Sequence, residues 1–155
     1  MRDRDAQGRA RNARPRDAYG RPLPRGDSGE PTMPDELSMG PDEAVAEGQR
    51  LLDADRPFHA HEVFEAVWKA APAAERELWR GLAQVAVGLT HVRRGNLTGA
   101  HALLTRAADR LTPYTQDRPY GLDLQSLLRD VHALADRAAR GDLDADADLR
   151  LHLTV

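Results

Sequence analysis

The sequence contains no cysteine, which excludes disulfides and thiolate metal sites and fits a reducing compartment. Aromatic residues make up only 5% of it. β-Branched residues are few beside the abundant Ala, Leu and Arg, and that composition favours helix over sheet. No apolar run is long. The longest, around Val85 to Leu89, falls far short of the ~20 residues that a membrane-spanning helix needs. The N-terminal arginines are followed by no apolar stretch, so no secretory signal is expected. The three serines lie outside the helical motif described below, which argues against a Ser-His-Asp nucleophile. No glycines take the spacing of a phosphate loop. Charged residues are 30% and the formal net charge is −3, with no obviously basic face to hold nucleic acid. The expectation is a soluble, cytoplasmic protein with neither nucleic acid nor membrane as a partner.

What is present divides into three parts. Residues 1–36 are rich in Arg, Asp, Gly and Pro, with almost no large apolar side chain. Such a segment cannot bury enough apolar surface to offset its ordering entropy and is expected to be a disordered tail. Residues 37–141 read as a helical domain. Pro41 with Asp42 and Glu43 suits a helix start, giving helices over about 41–54, 57–71, 73–93, 97–111 and 122–140. They are separated by Pro57, Pro72, Gly95-Asn96, Thr112-Pro113 and Gly141. Residues 142–155 form an acidic C-terminal tail, either a frayed end or a short strand. Leu124, Leu127, Leu128, Val131, Leu134 and Ala135 make a stripe on the fifth helix that must be covered, with the third and fourth helices as the expected cover.

An internal correspondence runs at an offset of 40 residues: Gly48 matches Gly88, Ala60 matches Ala100, His61 matches His101, Phe64 matches Leu104 and Val67 matches Ala107. The spacing of small and large residues is similar to a tetratricopeptide-type helix pair, in which a small residue lets the second helix pack closely. The expected fold is therefore all-α, a compact bundle of about five helices in antiparallel, tetratricopeptide-like pairs.

The second helix carries Ala60, Val63, Phe64, Val67 and Ala71 as one apolar stripe. His61, Glu65 and Trp68 lie on its flank, with His61 and Glu65 as i, i+4 neighbours. Glu62 projects further round, toward solvent or another subunit, and His59 is expected to be exposed. The third helix is apolar almost all round over residues 81–92. Its polar side chains are Gln84, Thr90 and His91, and Gln84 and His91 share a face. Buried polar groups need partners, so Gln84 and His91 are expected to face His61 and a largely buried Glu65. Trp68 and Trp79 read as core or interface anchors. His101 reads as a surface or interface residue, and His132 and His152 show no partner pattern.

The strings HAHEVFEAVW and RGLAQVAVGLTHVRRGNLTGA resemble the signature of a bacterial domain-of-unknown-function family, number 309. The matching residues are His61, Glu62, Glu65, Trp68, Gly81, Leu82, Gln84, Ala86, Gly95, Asn96, Gly99 and Ala100, and the resemblance covers about residues 41–111. It implies a compact all-α fold and no established activity, although some family-level labels read predicted metal-dependent hydrolase.

Two functions follow. The first is a non-enzymatic helical module that binds a small ligand or a protein partner, a second copy included, through the polar cluster of His61, Glu62, Glu65, Trp68, Gln84 and His91. The second is a metal-dependent hydrolase. His61, Glu65 and His91 would hold a divalent zinc, manganese or iron with one open position, and Glu62 would activate a water as the candidate catalytic base. The first ranks ahead, because buried polar networks commonly fix packing without catalysis.

Overall fold

The computed structural model describes residues 39–155 and, before them, the backbone of two short antiparallel strands, β1 (Asp3–Arg4) and β2 (Ala10–Arg11). The disorder expected of residues 1–36 otherwise lies outside the described residues. Five helices follow: α1 (Pro41–Asp53), α2 (Pro57–Ala70), α3 (Arg76–Arg93), α4 (Leu97–Leu111) and α5 (Leu124–Ala139).

Their ends are set by local chemistry. Proline stands in the first turn of α1 and of α2, where its missing N–H costs nothing. Asn96 accepts a 3.0 Å hydrogen bond from the Gly99 N–H at the start of α4, and Asp123 accepts one of 3.3 Å from the Ser126 N–H at the start of α5. Gly95 and Gly141, at φ +77° and +68°, end α3 and α5. Two helices start later than the sequence pattern suggests. Residues 73–75 form a 3-10 turn after Pro72, so α3 begins at Arg76. Leu122 is extended and bridges Thr154, so α5 waits for its cap at Asp123.

Each helix packs chiefly against the next in sequence, so the bundle is built as successive pairs. The glycines explain the close approach. A Cβ at Gly81 would come within 2.8 Å of Leu111, and one at Gly88 within 2.7 Å of Leu104. As the position on α3 rises, its partner on α4 falls, which is an antiparallel register. A Cβ at Gly48 would overlap the Phe64 ring. The Gly48–Phe64 and Gly88–Leu104 contacts are the same contact 40 residues apart, so the correspondence seen in sequence is a packing repeat. The core includes Phe64, Leu78, Trp79, Leu82, Leu104 and Leu111, all at most 1% exposed.

The residues after α5 do not form a separate tail. Leu143, Leu149, Leu151 and Leu153 are buried. The Gln49 carboxamide on α1 donates to Leu151 O and accepts from Leu153 N, both at 2.8 Å. Arg93 on α3 donates to Ala145 O and Ala147 O at 2.8 and 2.7 Å. This strap crosses α1, α3 and the lead-in to α5, where Asp123 N donates to Leu153 O at 2.8 Å. Apolar residues at alternate positions of an acidic segment hid this packing from a helix-period reading. The leucine stripe of α5 is covered by α4 as expected. The cover expected from α3 is not a main contact, because α4 lies between them.

Candidate functional site

One cavity of about 150 Å³ opens between α2, α3 and α4. His61, Glu65 and Trp68 reach it from α2, Arg80, Ala83, Gln84 and Val87 from α3, and Leu103 from α4. Its lining mixes apolar with polar side chains. The α2 residues arrive there because spacings of four and three return them to one flank of the helix beside the buried Val63, Phe64 and Val67. Arg80, Gln84 and Val87 do the same on α3.

His61 Nε2 lies 2.8 Å from Glu65 Oε2, a hydrogen bond that becomes an ion pair when the imidazole is doubly protonated. Lys69 Nζ stands 3.8 Å from the other Glu65 oxygen. The Glu65 side chain is 30% exposed and that of His61 22%. Glu65 is therefore less buried than expected, because the flank it occupies opens on the cavity, although it lies within hydrogen-bonding reach of His61 as expected. The Arg80 guanidinium sits 5.8 Å from the centre of the Trp68 ring, a cation–π arrangement. Gln84 reaches the cavity, but its Oε1 accepts from Arg110 Nε at 3.0 Å. Arg110 is itself paired with Glu77, so α3 and α4 are tied together along this edge.

His91 is not brought to this group. It shares a helix face with Gln84 but stands seven residues further along, about 10 Å at the rise of an α-helix. Its Nδ1 lies 3.0 Å from Asn96 Nδ2. Burial, with Arg94 adding to it, lowers the His91 pKa and favours the neutral ring that can accept from that amide. The three donors His61, Glu65 and His91 thus do not converge, and no group of three or more His, Asp or Glu able to hold a metal occurs among the described residues. The residues present do not fit the expected metal.

Other placements differ from expectation on two points. His59 is buried at 6% exposure, because α2 is flanked by both α1 and α3 and buries two sides. Glu62 is half-buried, with Oε1 shielded from solvent, and does not line the cavity. Thr90 is buried and donates to Ala86 O of the preceding turn at 2.9 Å. Trp79 is fully buried, as an anchor should be, and His101, His132 and His152 are exposed. Sequence reasoning missed Arg80, Val87, Leu103 and Arg110. Arg80 and Val87 were findable, four before and three after Gln84. Leu103 and Arg110 depend on the register of α4 against α3, which no local pattern encodes.

Residues 45–103 match the family described as Domain of unknown function (DUF309), which bears out the resemblance seen in the strings. An uncharacterised protein of Bacillus subtilis (strain 168), YpuF, is 41% identical over 51 residues, 32% of this chain and 29% of that protein. The chain thus spans under a third of the length of this curated relative. No solved structure matches. Among the described residues, no helix is long and apolar enough to cross a membrane.

Proposed function

We propose that the cavity between α2, α3 and α4 is a binding site for one side chain of a protein partner or a small molecule of similar size. The observation that carries this reading concerns the six polar and aromatic residues among those that match the family pattern, His61, Glu62, Glu65, Trp68, Gln84 and Asn96. Asn96 caps α4 and Glu62 lies further round α2. The other four, His61, Glu65, Trp68 and Gln84, line one cavity. A volume of about 150 Å³ suits a benzene-sized group and is small for a whole drug-sized ligand. Trp68, Ala83, Val87 and Leu103 supply apolar contact, and the His61–Glu65 pair and Arg80 supply orientation.

A fragment screen by ligand-observed NMR tests it. Ligands should lose binding in Trp68→Ala and weaken in His61→Ala and Glu65→Gln. Ligands indifferent to all three would overturn the reading. The hydrolase reading ranks second, since its third donor, His91, bonds Asn96 instead. Stoichiometric zinc, manganese or iron retained by the purified protein and lost in His61→Ala would reverse that ranking. The cysteine-free composition supports our placing the protein in the cytoplasm.

A further inference from the structure

The strap of residues 142–155 is held in a way that does not depend on most of its sequence. Both ends of the Gln49 carboxamide bond the strap's main chain, at Leu151 O and Leu153 N. Arg93 takes two carbonyls, Ala145 O and Ala147 O. The backbone before α5 adds Asp123 N to Leu153 O and a bridge between Leu122 and Thr154. Side chains contribute at alternate positions: Leu143, Leu149, Leu151 and Leu153 are at most 6% exposed, while Asp142, Asp144, Arg150 and His152 face solvent. Main-chain hydrogen bonds with side-chain pockets at every second residue are the physics by which folded domains hold extended peptides. Arg93 is nine residues from Gln84, half a turn out of phase at 100° per residue. The strap therefore lies on the face of α3 opposite the cavity described above.

We propose that the face formed by α1, α3 and the lead-in to α5 is a peptide-binding groove for extended protein segments with leucine at alternate positions, and that the chain's own C-terminal segment is its resident ligand. A partner presenting Leu-x-Leu-x-Leu in extended form competes with the resident segment for Gln49 and the leucine pockets. Gly141, at φ +68°, and the exposed Asp142 form the joint at which the strap leaves α5.

The test cuts the strap without altering the groove. A protease site is inserted in the full chain between Gly141 and Asp142, and the protein is cleaved after folding. Fragment 142–155 should stay with the helices through gel filtration and exchange with a fluorescent peptide DLDADADLRLHLTV. A second peptide that keeps Leu143, Leu149, Leu151 and Leu153 and replaces all the other residues should bind comparably. A third with those leucines changed to serine should not bind. Gln49→Ala should weaken the peptide by about tenfold, the effect of two hydrogen bonds of ordinary net strength. If release of the fragment unfolds the helices, refolding on addition of the first two peptides, followed by circular dichroism, supports the proposal equally. Three results overturn it: release of the fragment with the helices unchanged and no peptide uptake, unfolding that no peptide reverses, or binding restricted to the native sequence. The last would mean that the groove is reserved for the chain's own end.

Discussion

Replacing Gly88 with Ala should destabilise the protein, although the same change in an exposed helix interior stabilises by ~0.5–1 kcal/mol. The new Cβ would lie 2.7 and 2.8 Å from Leu104 Cδ2 and Cγ, with the Leu104 backbone nitrogen behind at 3.5 Å. Leu104 is 0% exposed and has no free space to retreat into. Overpacking of this kind costs about 1–3 kcal/mol, so the net loss should be on the order of 1 kcal/mol. Urea denaturation checks it, with the midpoint falling and the slope unchanged. The double variant gives the sharper reading. Leu104→Ala alone removes buried methyl groups at a cost of about 2–5 kcal/mol. Combined with Gly88→Ala it should cost less than the sum, because the alanine enters the space the leucine left. A coupling of ~0.5 kcal/mol or more in that direction is expected for residues in contact. If Gly88→Ala raised stability by its full propensity gain, or the two changes were additive, α3 and α4 would not pack through this contact, and the repeat at 40 residues would lose its physical basis.

Four further outcomes follow. Burial holds the His91 pKa below its usual 6.5, so the unfolded chain binds more protons than the folded one below that pH. Stability should fall as pH drops through about 6.5 and level off below the folded pKa, and His91→Gln should flatten urea midpoints between pH 7.5 and 5. Tyr120, donating to Glu75 at 2.5 Å, has its pKa pushed up to about 12 chiefly by that bond. Stability should therefore decline between pH 10 and 12, and Tyr120→Phe should remove that part of the alkaline slope. Glu65→Gln should cost no more than about 1 kcal/mol, since its pair is part-exposed, and a loss of several kcal/mol in chemical denaturation would refute that placement. Arg93→Met should cost on the order of 3 kcal/mol through two charge-assisted bonds to the strap. It should also speed amide exchange at Leu151 and Leu153, and unchanged exchange there would show that the strap is held without Arg93.

The helices were legible because their signals are local. Prolines in first turns, the Gly95-Asn96 stop and the glycine past the end of α5 each act within a few residues, whereas the sequence pattern misses the cap at Asp123 and starts α5 two residues early. The correspondence of Gly48 with Gly88 was legible too, and the structure gives it meaning through Phe64 and Leu104. The strap was not legible. Its three alternate leucines follow a run of aspartates and are interleaved with Arg150 and His152, and the Gln49 side chain that holds their main chain lies some hundred residues earlier. His91 shows the other failure. A shared face with Gln84 fixes direction but not height along the helix, and a local partner, Asn96, satisfies the ring before any distant one can.

The division of the shared strings between fold and site follows from these contacts. Gly81 admits Leu111, Ala100 is fully buried, and Gly95 and Asn96 end one helix and start the next. Each of these is accounted for by packing or capping. His61 and Glu65 serve neither as caps nor as fully buried core, and a part-exposed pair of neighbours on one helix contributes modestly to stability. Trp68 is only partly buried and packs against the core from its edge, while Trp79 stacks near Phe64 inside it, with ring centres 6.4 Å apart. A half-buried tryptophan under an arginine, beside a histidine–carboxylate pair at a cavity's edge, offers the mix of apolar contact and orienting charge on which the proposed binding rests.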